Sequence, residues 1–109
     1  MEYYMGTVIF QDVQQFINKL DKTSSAKVYR AMSKLKEYGS LLTMPLSKHI
    51  NDGIFELRTR GNPEVRILYC FYQYKIVLLL AFIKKSNKMP KNLLTQAKKR
   101  RKLLTDYNL

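Results

Sequence analysis

Residues 54–85 of the chain, IFELRTRGNPEVRILYCFYQYKIVLLLAFIKK, decide the fold. Apolar and polar residues alternate at the start of this stretch, and two largely apolar runs follow it. A period of two is the period of a β-strand, and the breaks at residues 61–63 and 73–74 have the length of turns. Consecutive strands joined so closely pair antiparallel. The stretch therefore predicts a three-stranded meander, with strands at Ile54–Arg60, Val65–Tyr72 and Lys75–Lys85.

Two short amphipathic helices are predicted before the meander. Asp12 is a candidate N-cap for the first, whose apolar residues at positions 13, 16, 17 and 20 lie on one helical face. Thr23-Ser24-Ser25 offers an N-cap for the second, whose apolar stripe runs from Val28 to Tyr38. Gly39 follows at the position of a left-handed C-cap. The short connection between the two predicts a helical hairpin.

The ends of the chain complete the predicted layout. Tyr3–Phe10 contains aromatic and β-branched residues and predicts a first strand. Pro90 fits the first turn of a last helix with an apolar stripe at Leu93, Leu94, Ala97 and Leu104. The prediction is an α+β fold in which the helical hairpin and the C-terminal helix pack on one face of a mainly antiparallel sheet.

Length and composition indicate one globular domain spanning residues 1–109. With 46% hydrophobic residues the chain can form a core. Its one cysteine, Cys70, fits a buried thiol in a reducing cytosol. The N-terminus does not resemble a secretion signal, and the longest apolar run, Ile76–Ile83, is far shorter than the ~20 residues of a membrane span. We therefore expect a cytoplasmic protein without a membrane partner.

Charge is distributed unevenly along the chain. The net charge is +12, from 20 Lys and Arg against 8 Asp and Glu. Residues 1–64 contribute nine basic and seven acidic residues, whereas residues 65–109 contribute eleven basic residues and only Asp106. A sustained positive potential attracts polyanions, of which nucleic acid is the most common. Charge alone does not exclude a membrane surface or an acidic protein partner.

Strand alternation brings basic residues together on the predicted sheet. If the apolar residues of the first two meander strands face the helices, Arg58 and Arg66 lie side by side on the opposite, open face. The third strand ends at Lys84 and Lys85. These four residues are the predicted catalytic set. Further RNA contacts are predicted from the remaining basic residues of the region, namely Lys48, Arg60, Lys88, Lys91, Lys98, Lys99 and Arg101.

RNA cleavage is a reaction that such a set can promote without a metal or another cofactor. The 2′-hydroxyl is an internal nucleophile beside the phosphate, and fixed cations stabilise the charge that grows on the phosphate oxygens. A general base and a general acid are also required, and Glu56, His49 and Tyr69 are candidates, with Lys48 a further proton source. Structural roles compete with this interpretation: Arg58 can pair with Glu56, and the lysine-rich run at residues 98–102 can be a solvated helix face.

The sequence resembles the HigB branch of the RelE/ParE superfamily of type II toxin–antitoxin systems. The resemblance extends over residues 13–107 and depends on the order of short segments: Phe16-Ile-Asn-Lys-Leu20, Leu35-Lys-Glu-Tyr-Gly39, Gly53-Ile-Phe-Glu-Leu-Arg58, Val65-Arg-Ile-Leu-Tyr69, Ile76-Val-Leu-Leu-Leu80, Phe82-Ile-Lys-Lys-Ser-Asn-Lys-Met-Pro90, Gln96-Ala-Lys-Lys-Arg100 and Asp106-Tyr107.

This resemblance implies a RelE-like fold and a metal-independent endoribonuclease that cleaves mRNA on the ribosome and inhibits translation. It further implies neutralisation by a cognate antitoxin, often a helix-turn-helix protein, with operator DNA bound only through the toxin–antitoxin complex. By position, Arg58, Arg66 and the pair Lys84/Lys85 match the basic residues that such toxins use on substrate, and Lys48 matches a lysine that often follows the loop proline.

Two other functions fit the same sequence features. A ParE-like toxin would have this fold but poison DNA gyrase, although the Phe-Glu-Leu-Arg and Lys-Lys segments favour HigB. A non-catalytic nucleic-acid-binding module would use the basic surface for binding alone, because basic character distinguishes binding from catalysis poorly.

Overall fold

The computed structural model describes residues 6–107. In chain order the elements are β1 (Gly6–Ile9), α1 (Gln11–Asn18), α2 (Lys22–Tyr38), a 3-10 turn (Gly39–Leu41), β2 (Ser47–Asn51), β3 (Ile54–Thr59), β4 (Val65–Tyr72), β5 (Lys75–Ile83) and α3 (Lys91–Asp106). The predicted α+β class is confirmed, as are the helical hairpin, the three meander strands and the C-terminal helix. The part of the predicted first strand at residues 3–5 lies outside the described residues.

The strands form one five-stranded sheet in the order β1-β5-β4-β3-β2. β2 through β5 pair antiparallel, each with its neighbour in sequence, while β1 pairs parallel to β5 with Gly6 opposite Lys75 and Ile9 opposite Leu78. The sheet therefore contains one strand, β2, that the sequence did not predict. Its residues Ser47–Asn51 are mostly polar, and they gain strand structure by pairing with β3.

Helices cover both faces of the sheet. On one face α1 and α2 contribute residues such as Ile17 and Leu35 to a core with Ile67 and Tyr69 of β4. On the other face α3 contributes Ala97 and Leu104 to a second core, which also contains Leu68 and Cys70 of β4 and which we call the α3 core. The prediction that all helices pack on one face is therefore wrong. β4 is apolar on both sides, and such a strand needs a cover on each face.

The register between β4 and β5 shifts by one residue in the middle of the sheet. Tyr69 pairs with Leu78 and Leu68 pairs with Leu80, so that Leu79 is an extra residue on β5. A β-bulge of this kind reverses the alternation of side chains beyond it. As a result Leu79 and Leu80 both belong to the α3 core. After the bulge the even-numbered residues of β5 lie on the sheet face that α3 covers.

Arg100 anchors α3 to the rest of the fold. Its guanidinium donates to both carboxylate oxygens of Asp12 in α1, at 2.8 and 2.7 Å, and to the carbonyl oxygen of Leu79 at 2.8 Å. It also lies 4.7 Å from the ring centre of Phe10. One side chain thus connects α1, the bulge and the α3 core.

The helix ends differ from two predicted caps. Phe10 is the N-cap residue of α1, and Asp12 lies in the first turn, where its carboxylate binds Arg100. In α2 the cap is Asp21, whose side chain accepts a hydrogen bond from the backbone N–H of Ser24 at 3.3 Å. Gly39 is the C-cap residue of α2 as predicted, with a positive φ of 56°, but its ψ of −132° differs from that of the left-handed helical conformation. Among the described helices none has the length and apolar character that a membrane crossing requires.

Candidate active site

A basic cleft opens on the α3 face of the sheet, at the end that α3 leaves uncovered. Its volume is about 150 Å³, and five basic side chains and one acidic side chain are among those that line it. β2 through β5 and the loop before α3 all contribute, with the lining formed by Lys48, Ile50, Glu56, Arg58, Arg66, Phe82, Lys84, Ser86, Asn87, Lys88 and Met89. We call this site the basic cleft.

The two arginines at its centre meet as the strand alternation predicted. Arg58 of β3 pairs in register with Arg66 of β4, so both side chains leave the sheet on the same face. Glu56 lies between them: its Oε1 atom is 3.3 Å from Nε of Arg58 and 3.7 Å from Nε of Arg66. Because like charges directly opposite each other repel, the carboxylate stabilises a pair of guanidiniums that would otherwise separate.

Arg66 is the most enclosed cation of the cleft, with 4% of the residue exposed. Burial lowers the pKa of its guanidinium, and the neighbouring charge of Arg58 lowers that pKa further. Its Nη1 atom donates to the backbone carbonyl oxygens of Thr59 and Val65 at 3.4 and 3.5 Å. These contacts fix the side chain in place, so that its remaining donors are oriented before an anion arrives.

Glu64 connects Arg66 to Lys84. One oxygen, Oε2, lies 3.4 Å from Nη2 of Arg66 and 3.5 Å from Nζ of Lys84. The backbone N–H of Lys84 also donates to the carbonyl oxygen of Glu64 at 2.9 Å. One carboxylate oxygen is therefore shared by two cations of the cleft. The sequence interpretation missed this residue, although Glu64 is the last acidic residue before Asp106.

The bulge at Leu79 decides which of the two predicted lysines faces the cleft. Beyond the bulge the even-numbered residues share the face of Arg66, so Lys84 lines the cleft. Lys85 points to the other side, where it lines a larger groove beside Phe16 of α1. The structure therefore brings together Arg58, Arg66 and Lys84 but separates Lys85 from them.

Only one of the three candidate acid–base residues lies in the cleft. Glu56 lines it, whereas His49 and Tyr69 project from the opposite face of the sheet. His49 is exposed and packs edge-on against Phe55, with ring centres 5.2 Å apart. Tyr69 is buried in the core of α1 and α2, hydrogen-bonded to the hydroxyl of Ser47, and burial raises the pKa of its phenol.

The remaining basic candidates divide by position. Lys48 of β2 and Lys88 of the loop line the cleft. Arg60 is exposed beyond the end of β3 and outside the cleft lining, and its carbonyl oxygen accepts a hydrogen bond from Lys27. Of these three residues, Lys48 and Lys88 therefore line the same cleft as the two arginines, and Arg60 does not.

The basic residues of α3 point in two directions. The guanidinium of Arg101 lies against Gly53 in the turn between β2 and β3, where a Cβ atom would approach its Nη2 atom to 2.8 Å. Helical spacing places Lys98 and Lys91 on the same side as Arg101. Lys102 lies on this side too and pairs with Asp106 at 3.7 Å, whereas Lys99 lies on the side of α3 away from its buried residues. Arg101 thus lies beside the turn that joins β2 to β3, and Lys91 begins α3 directly after the loop that lines the cleft.

This arrangement suits a bound phosphate better than a metal ion. Forked guanidinium groups and a nearby ammonium are donors that match phosphate oxygens. Within residues 6–107 no three His, Cys, Asp or Glu side chains are grouped in a way that could hold a metal.

A family model of phage-derived Gp49-like proteins (DUF891) matches residues 15–102, which include every residue that lines the cleft. The chain belongs to the Gp49-like family. This family is RelE-like and is associated with the toxins of toxin–antitoxin systems, so membership places the chain in the toxin superfamily that its sequence resembles. The comparison with curated proteins gives no match.

Proposed function

We propose that this Gp49-like chain is the toxin of a type II toxin–antitoxin system and, like HigB, cleaves mRNA on the ribosome without a metal ion. The observation that carries the proposal is the convergence of Arg58 of β3, Arg66 of β4 and Lys84, directly after β5, in one open cleft that also contains Glu56. A protein that only recruited nucleic acid would need exposed cations, whereas an enclosed and fixed guanidinium such as Arg66 suits transition-state stabilisation.

The proposed reaction uses the RNA as its own nucleophile. The 2′-oxygen loses its proton and forms a bond to phosphorus, and the bond from phosphorus to the 5′-oxygen of the next nucleotide breaks. The 5′-oxygen takes up a proton as it leaves, so the products end in a 2′,3′-cyclic phosphate and a 5′-hydroxyl. Arg66 and Arg58 hold the two non-bridging oxygens, whose charge increases in the transition state, and Lys84 adds a third cation.

Glu56 accepts the proton of the 2′-hydroxyl in this scheme. Its carboxylate lies in the cleft and is 7% exposed, held by the two guanidiniums. When the phosphate takes over those guanidinium contacts, an oxygen of Glu56 becomes free to act as the base. The leaving oxygen receives its proton from an ammonium of the cleft wall, and the three available are Lys48, Lys84 and Lys88.

The basic side of α3 supports binding of a long RNA rather than a single nucleotide. Lys91 and Arg101 are ten residues apart in a continuous helix, which corresponds to about 15 Å at 1.5 Å per residue. Together with the cleft this surface can neutralise several consecutive phosphates, as required for tight and salt-sensitive binding.

An antitoxin is the expected partner of a toxin of this family. Within the proposal it is a helix-turn-helix protein that binds operator DNA, and the toxin reaches that DNA only as part of the complex. The toxin acts on translating ribosomes and therefore in the cytoplasm.

Pulsed expression followed by mapping of transcript ends tests the proposal. We expect growth to stop within minutes, new 5′-hydroxyl ends to appear within translated messages, and both effects to disappear with Arg66→Ala. Cut DNA with intact transcripts would replace the proposal with a ParE-like action on gyrase. Salt-sensitive RNA binding without cleavage on programmed ribosomes would replace it with a non-catalytic binding module.

A further inference from the structure

One wall of the basic cleft is apolar. Ile50 of β2, Phe82 of β5 and Met89 of the loop before α3 all line it. Each packs against the α3 core on its inner side and remains partly exposed on its outer side. The inner contacts fix these side chains in place, and the outer surface is then available to a ligand that is partly anionic and partly apolar.

Phe82 is the aromatic member of this wall and lies next to the phosphate-binding groups. It pairs in register with Arg66, and Lys84, directly after the end of β5, lines the cleft beside it. In a nucleotide the phosphate and the base are attached to the same ribose, so one nucleotide can place its phosphate on these cations and its base against Phe82.

We propose that Ile50, Phe82 and Met89 form a nucleobase subsite, in which the base beside the phosphate held by Arg66 and Lys84 stacks on the ring of Phe82. This inference rests on the proposed function, because it assumes that the ligand of the cleft is RNA. Stacking on an aromatic ring accepts any base, so the subsite secures the position of the strand and is tolerant of sequence.

The absence of tryptophan from the chain provides a direct test. Phe82→Trp introduces a single tryptophan at the subsite, which is excited at a wavelength that the eight tyrosines do not absorb. The ligands are a short RNA and an abasic oligomer of the same length and charge. Binding is followed independently by the anisotropy of a dye at the end of each oligomer. We expect the RNA to quench the tryptophan and to bind at least about tenfold more tightly than the abasic oligomer, which binds without quenching.

Phe82→Leu is the second variant, because it keeps an apolar side chain against the α3 core. It should lower the affinity for RNA about tenfold, to that of the abasic oligomer, with an unchanged circular dichroism spectrum. Phe16→Leu is the matched control: Phe16 is a partly exposed phenylalanine of the neighbouring groove and does not line the cleft, so both affinities should stay as they are.

Three results would overturn the inference, and they differ in what they say about the proposed function. If both oligomers bind equally well without quenching, the cleft binds RNA but has no base subsite. If neither oligomer binds the wild-type chain although its expression still cuts transcripts, the subsite fails and the proposed function stands. If transcripts also stay intact, both fail.

Discussion

Replacement of Arg66 by methionine should abolish most of the cleavage activity while the protein remains folded. Methionine keeps an unbranched apolar stem in the space of the arginine stem but removes all five donors and the charge. Loss of one fixed donor from a site that stabilises an oxyanion costs about 10²–10³-fold in kcat, or about 2.7–4 kcal/mol. Arg66 is 4% exposed and therefore poorly replaced by water, so we expect a loss at the upper end of that range.

The effect on stability should be smaller than the burial of Arg66 suggests. The variant loses contacts to Glu56 at 3.7 Å and to Glu64 at 3.4 Å, and breaking a buried ion pair can cost about 3–5 kcal/mol. However, Glu56 keeps Arg58 at 3.3 Å, and the repulsion between the two arginines disappears. We therefore expect the free energy of unfolding to fall by only about 1–2 kcal/mol.

The assay is single-turnover cleavage of a message on programmed ribosomes, with denaturant unfolding measured on the same preparations. Arg66→Lys keeps the charge without the fork and should lie between wild type and Arg66→Met. Arg30→Met is the control, because Arg30 is an exposed arginine of α2 outside the cleft lining. A folded Arg66→Met protein that cleaves within threefold of the wild-type rate would refute the role given to Arg66.

Four further outcomes are expected. Glu56→Gln should slow cleavage about 10²-fold or more with RNA affinity retained, whereas a residue that only positions the arginines would leave the rate within a few fold. Arg100→Ala should lower the free energy of unfolding by about 2–3 kcal/mol, through loss of the carbonyl contact and the partly exposed bond to Asp12. The hydrogen bond from Arg100 lowers the pKa of Asp12 below its ordinary 3.8. The ionised carboxylate therefore stabilises the folded wild type at neutral pH, and this stabilisation is lost as acid protonates Asp12 below about pH 4. Melting temperatures measured against pH should show this loss of stability in the wild type and not in Arg100→Ala. Removing two charges from α3 with Lys98→Ala/Arg101→Ala should reduce the slope of log Kd for RNA against log salt by about 1.4. The control Arg30→Ala/Lys34→Ala removes two exposed charges of α2 outside the cleft lining and should change the slope less, as measured by fluorescence titration.

The local pattern of the strands was sufficient to predict the centre of the candidate site. Side chains alternate strictly along a strand, and a turn of a few residues fixes how β3 and β4 pair. The apolar residues of both strands determine which face is buried, so Arg58 and Arg66 had to emerge together on the other face. The same reasoning predicted the helical hairpin and α3, because their apolar stripes have helical spacing.

Contacts between distant segments decided the rest. β2 has little apolar pattern and is a strand because β3 supplies its hydrogen bonds, and β1 joins β5 in parallel only after the chain has folded back. Helices cover both faces of the sheet because β4 is apolar on both sides, whereas the sequence interpretation assumed that only one face of the sheet is covered.

The basic character of residues 65–109 was evident in the sequence, but its division into a site and a surface was not. Period two alone puts Lys85 on the face of Arg66. The structure puts Lys84 there, because the extra residue Leu79 reverses the alternation before β5 ends. Sequence patterns report local geometry, whereas a bulge reflects how a strand fits between two cores at once and how Arg100 binds the carbonyl of Leu79. The sequence by itself determined that the arginines meet, and only the tertiary structure decided which lysine joins them.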